Sequence, residues 1–126
     1  MKKIISILCV FVISSLSYAQ VTSAVATVSP TLFEENQSIT ITFTLTTPIT
    51  GDLYLWAWAQ DANGANIGTP NNGSWTASSA ASKLSQNGSR TYIYTLNPSA
   101  YYNTSGIFRI GFLAKTLNGS AKSADF

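Results

Sequence analysis

The chain has 126 residues, with no His and a single Cys. Its formal net charge is +2, from seven Lys and Arg against five Asp and Glu. That inventory excludes Ser-His-Asp and Cys-His catalysis and the usual zinc ligand sets.

Residues 1–19 read as a secretory signal. Lys2 and Lys3 open it, residues 4–16 form an apolar run, and Ser17-Tyr18-Ala19 is a small-residue cleavage site. The run is shorter than the ~20 residues a membrane-spanning helix needs. Cys9 is followed by Val10-Phe11-Val12-Ile13, so it sits inside the hydrophobic region and not at a lipoprotein cleavage point. The remainder, residues 20–126, has the length of one domain with one core. It carries Lys83, Arg90, Arg109, Lys115 and Lys122 against Glu34, Glu35, Asp52, Asp61 and Asp125, a balance of zero. Such a balance argues against a nucleic-acid partner or a polybasic membrane contact. The expectation is a secreted chain (periplasmic, cell-surface or extracellular) with no transmembrane segment in its mature form and no disulfide.

The predicted strands follow in order. Residues 21–29 alternate weakly through Val21, Val25 and Val28, and Pro30 ends the run. Residues 38–46 alternate cleanly, with Ile39, Ile41, Phe43 and Leu45 against Thr40, Thr42, Thr44 and Thr46. Period two with β-branched residues on the wet side marks a half-buried antiparallel strand. A turn at 48–51 leads into a third strand at 52–59. A long Gly/Asn/Ser/Ala-rich connection, broken by Pro70 and Trp75, covers 60–80. A short piece at 83–85 closes through Gln86-Asn87-Gly88-Ser89 onto a fourth strand at 90–96. The crossover at 97–106 holds Pro98, Tyr101 and Tyr102 and suits a single helical turn. In it the two tyrosines lock the crossover to the sheet with their hydroxyls tied to backbone. A fifth strand at 107–115 sets Phe108, Ile110 and Phe112 on one face, away from Arg109 and Gly111. It reaches a short sixth at 121–126 through Leu117-Asn118-Gly119-Ser120. Six to seven short strands without helices predict an all-β, immunoglobulin-like antiparallel β-sandwich, with a closed barrel as the rival.

Chemistry is scarce. Glu34 and Glu35 are neighbours in a turn, a poor arrangement for the facing carboxyls of a glycoside hydrolase. Asp52, Asp61 and Asp125 stand at turns and strand ends, where Asp serves the backbone. Asp61-Ala62-Asn63-Gly64 reads as a plain turn, since it lacks the later acidic ligand of a calcium loop. Ser120 and Lys122 lie on the short terminal strand, a poor setting for a buried nucleophile. No enzyme, metal or cofactor is therefore expected.

The informative segment is Leu53-Tyr54-Leu55-Trp56-Ala57-Trp58-Ala59. Alternation puts Tyr54, Trp56 and Trp58 on one face and Leu53, Leu55, Ala57 and Ala59 on the other. Both faces are apolar, so the aromatic row needs a cover, or it forms an unusually large exposed patch. Two covers are available. The 60–80 connection folds back with Trp75 on the row, or part of the row with Trp75 makes a platform for sugar rings. In the second case Asn72 and its neighbouring asparagines supply hydrogen bonds to hydroxyls.

Several stretches carry a family resemblance. They are Val28-Ser29-Pro30, Phe33-Glu34-Glu35-Asn36, Asp52-Leu53-Tyr54-Leu55-Trp56-Ala57-Trp58, Asn72-Gly73-Ser74-Trp75, Tyr101-Tyr102-Asn103 and Ile110-Gly111-Phe112-Leu113-Ala114-Lys115. Together they resemble the N-terminal immunoglobulin-like modules of secreted multidomain Bacteroidota proteins, of polysaccharide-processing or surface starch-utilisation type. The resemblance implies fold and export, and an accessory place ahead of a hydrolase, adhesin or sorting domain. Similar modules continue past 121–126, so it also implies a module cut short at its C-terminal end. The expected function is a secreted, non-catalytic module binding a polysaccharide or cell-surface glycan through Trp58 and Trp75, with Tyr54, Trp56 and Asn72 assisting. The alternative is a structural spacer or protein-docking module of a larger extracellular protein, with neighbouring domains as partners.

Overall fold

The structure, a computed structural model, describes residues 24–126. The predicted signal, and Val21 of the first strand, lie outside the described residues. In chain order come strand β1 (Ala24–Ser29), β2 (Ile39–Leu45), β3 (Tyr54–Gln60), β4 (Asn66–Ile67), β5 (Gly73–Ser74) and β6 (Ala77–Ser78). A 3-10 turn (Ala80–Ser82) precedes β7 (Ser85–Gln86) and β8 (Thr91–Leu96); helix α1 (Pro98–Tyr102) precedes β9 (Arg109–Lys115).

Two antiparallel sheets face each other. One has the order β1-β2-β8-β7, the other β4-β3-β9, and β5 and β6 pair separately as a small hairpin. The tail runs along the far side of β9: Ser123 donates to the Ala114 carbonyl at 2.8 Å, and Phe126 and Phe112 exchange bonds of 2.9 and 3.0 Å. This is the A-B-E-D and C′-C-F-G arrangement of an immunoglobulin-like sandwich, and no barrel closes.

The core follows from alternation. Ile39, Ile41, Phe43 and Leu45 are at most 1% exposed, facing Leu55, Ala57, Ala59, Phe112 and Ala114 of the second sheet. Phe43 meets Phe112 edge-on at 5.8 Å, and the partly exposed Phe126 stacks on Phe112 at 6.1 Å. Burying each such side chain contributes on the order of 1.5–3 kcal/mol.

Helix α1 is a single turn, as expected. Asn97 caps it by accepting the Ala100 N–H, Pro98 occupies the first turn, and Asn103 ends it in the left-handed region at φ 51°. Tyr102 Oη donates to the Trp58 carbonyl at 3.1 Å and so ties the crossover to β3. Tyr101 differs: its buried hydroxyl has no hydrogen-bond partner. Burial pushes both phenols well above their ordinary range.

Two expectations need correction. The 60–80 connection is not structureless, since β4, β5 and β6 lie within it; pieces of two residues carry no readable periodicity. Phe108 does not share the buried face of Phe112. Its N–H donates to the Gln60 carbonyl while Arg109 is also paired opposite Gln60, so the strand begins one residue later. Phe108 is left 71% exposed.

Candidate functional site

The outer face of the β4-β3-β9 sheet is set by register. Tyr54 is opposite Lys115, Trp56 opposite Leu113, Trp58 opposite Gly111 and Gln60 opposite Arg109. Opposed residues of an antiparallel pair project to the same side, so these eight positions share one surface.

Trp56 is covered. The β5–β6 hairpin carries Trp75 onto it, with ring centroids 5.2 Å apart at 80°, an edge-to-face contact. The ammonium of Lys115 sits beside both rings, 5.4 Å from the Trp56 centroid and 5.1 Å from that of Trp75. Lys115 is 0% exposed and pairs with no carboxylate. Its Nζ donates instead to the Trp75 carbonyl (2.8 Å), Ser78 Oγ (2.5 Å), the Thr116 carbonyl (3.2 Å) and the Leu117 carbonyl (3.3 Å). One cation thus clamps the hairpin, the end of β9 and the turn after it. Burial pulls the Lys115 ammonium below its ordinary range. The carbonyls and indole faces act in the opposite sense, because they favour the charged form. The Ser78–Lys115 contact joins the hairpin to the end of β9. The Ser120–Lys122 pair weighed from sequence is not assembled, as Lys122 pairs with Asp125 at 3.0 Å.

Trp58 is placed differently. A Cβ on Gly111 would fall 2.1–2.4 Å from atoms of its indole, so the ring lies directly against the glycine backbone. Only Gly at 111 allows that approach. Trp58 is half-buried, and Trp75, seated over Gly119 at the hairpin tip, is 38% exposed. Trp56 is half-buried too, but the Trp75 ring meets it, so among the described residues Trp58 is the indole of β3 that no other aromatic ring contacts.

The other candidates are inside. Tyr54 is 9% exposed, beside the Asp52–Lys83 ion pair of 2.8 Å. Asn72 is 2% exposed, and both ends of its amide are taken by one residue. Its Oδ1 accepts the Ala57 N–H at 3.1 Å and its Nδ2 donates to the Ala57 carbonyl at 2.7 Å. It stands in for a strand neighbour at the β3 edge that β4 leaves open. Against the expectation that Asn72 meets sugar hydroxyls, its amide is buried and bonded to the β3 backbone.

Sequence reasoning passed over Lys115, Gly111 and Gly119. For Gly111 the signal was register, since it lies opposite Trp58, while Gly119 in the turn after β9 gave none. Lys115 left only its position on the outer face of β9.

Two hollows lie outside the row. An open groove of about 640 Å³ is lined by Ile67, Thr69, Pro70, Tyr102, Asn103 and Thr104, with no indole and no charged side chain. A smaller one of about 250 Å³ continues the row past Gln60 and is lined by Asp61, Asn63, Phe108 and Arg109. Asp61 Oδ1 accepts the N–H groups of Asn63 and Ala65 at 2.8 and 2.9 Å, a turn-forming use of the carboxylate. Among the described residues, no cluster of three or more His, Cys, Asp or Glu could hold a metal ion, and no helix is long and apolar enough to cross a membrane.

Fold and surface together define an all-β immunoglobulin-like sandwich with an aromatic outer face. Comparison with family models, with curated proteins and with solved structures finds no match.

Proposed function

We propose that this chain is an exported, non-catalytic accessory module that holds polysaccharide on the outer face of its β4-β3-β9 sheet. The observation that carries the reading is Trp58, a half-exposed indole laid against Gly111. The ring face turned away from the glycine suits the apolar face of a pyranose, and the indole N–H adds a polar handle. Trp75 supplies a second exposed indole, while Trp56 and Tyr54 flank Trp58 along the same face of β3. Export rests on the N-terminal sequence pattern, and the accessory role on the resemblance to Bacteroidota modules.

Tryptophan fluorescence of the purified chain, with acrylamide quenching in the presence and absence of soluble polysaccharides, tests this. Protection of the indoles by a polysaccharide, lost in Trp58→Ala with far-UV circular dichroism unchanged, is the expected result. Indifference to every polysaccharide would leave the second reading, a structural spacer or protein-docking module of a larger extracellular protein. That reading draws on the Trp56–Lys115–Trp75 clamp, in which much of the aromatic surface is spent on the protein itself.

A further inference from the structure

We infer that the polysaccharide held on Trp58 is anionic, with a carboxylate or sulfate of the stacked sugar bound by Arg109. The inference rests on the polysaccharide reading and adds the chemical class of the ligand. Trp58 is opposite Gly111 and Gln60 is opposite Arg109. Arg109 is therefore the diagonal cross-strand neighbour of Trp58, about 7–8 Å away at the backbone and on the same face. A pyranose lying on the indole places an exocyclic anionic group within reach of a side chain as long as arginine's. The hollow of about 250 Å³ that Arg109 lines gives that group room beyond the end of β3.

Arg109 is also the cation left available. Lys83 pairs with Asp52 and Lys122 with Asp125. Arg90 donates to the Thr46 carbonyl at 3.4 Å, and Lys115 is held in its clamp. Among the described residues, Arg109 alone of the cations has no ion pair or hydrogen bond. The nearest acid in the hollow, Asp61, is tied to its own turn through Oδ1 and forms no ion pair with Arg109. A guanidinium presents a planar fork that matches a carboxylate with two parallel hydrogen bonds, and sulfate oxygens with the same donors. Uncharged sugar hydroxyls have no comparable need of it.

Polygalacturonate, its methyl-esterified form and dextran sulfate separate the possibilities by titration calorimetry on the purified chain. The esterified polymer keeps the ring and removes the charge. Polygalacturonate is expected to bind more tightly than its ester, and Arg109→Gln to weaken it roughly fivefold, the scale of an exposed charge pair. The same variant should leave the ester's affinity unchanged. A preference for dextran sulfate that Arg109→Gln also removes would support the anion site and assign it to sulfated sugars. Equal binding of polygalacturonate and ester, unaffected by Arg109→Gln, would overturn the anionic inference while leaving the Trp58 platform standing. No binding of any of the three would overturn both. Because Arg109 is exposed and outside the core, its variant keeps the test independent of folding.

Discussion

β2 and β3 have the same length and sit in facing sheets, yet their outer faces differ in kind. The outer positions of β2 are threonines, which water solvates and which need nothing on top of them; Thr40 even shares a hydroxyl contact with Thr95 at 3.1 Å on the next strand. The outer positions of β3 are Tyr54, Trp56 and Trp58, which water does not solvate well. Covering them took a hairpin, a buried lysine and a glycine seat. A strand with one apolar face is completed by its own sheet, whereas a strand with two is completed by the chain around it.

The comparison can be broken from either side. The largest effect is expected on the shared inner face. Phe43→Ala removes a ring that meets both Phe112 and Phe126 and should cost about 3–5 kcal/mol in urea unfolding. Next is the clamp. Lys115→Met keeps the stem and leaves the part-buried Trp75 carbonyl without its donor, a loss of about 2 kcal/mol.

The clamp also has a pH signature. Its folded pKa lies below the ordinary 10.5, so in that window the unfolded chain holds a proton the folded chain has released. Stability then rises with pH through the window. Urea midpoints of the wild type should climb relative to Lys115→Met as pH approaches 10.5 from below, and a flat difference would contradict the buried placement. Asn72→Leu should cost about 1–3 kcal/mol, because it orphans the Ala57 N–H and carbonyl at the β3 edge. It should leave polysaccharide binding as it was, which a ligand-contacting Asn72 would not. The smallest effect belongs to the wet face of β2: Thr44→Ala, at an exposed outer position, should stay within about 0.5 kcal/mol.

The strands that set the architecture were legible. Ile39 to Thr46 announces its two faces residue by residue, and the 3-10 turn and β4–β7 pieces aside, the five longer strands fell within a few residues of their expected places. The aromatic row was legible as a problem: Tyr54, Trp56 and Trp58 on one face required a cover. Its solution was legible only in outline, as a fold-back of Trp75. The contact with Trp56 is made, and both remaining partners come from elsewhere in the chain, Lys115 from β9 and Gly111 from beneath Trp58. Asn72 looked like a surface asparagine in a polar loop because nothing in Asn71-Asn72-Gly73 says that its amide replaces a missing strand. Phe108 looked buried by period two, and one residue's slip at the start of β9 turned it outward.

By itself the sequence determined what each strand does with its own neighbours in water. Hydrophobic alternation is a local property, so the inward Ile, Phe and Leu of β2, the double apolar face of β3 and the cap of α1 by Asn97 were decided within a few residues. Only the tertiary structure decided which of the aromatics are spent and which remain on the surface. Tyr54 is enclosed, Trp56 and Trp58 are both half-buried and Trp75 keeps an outer face, an arrangement that depends on Lys115 reaching the Trp75 and Leu117 carbonyls and on glycines at 111 and 119. Those contacts join segments some forty residues apart or on opposite strands. Their free energy comes from desolvated charge, carbonyl dipoles and ring packing, none of which exists until the sheets have met.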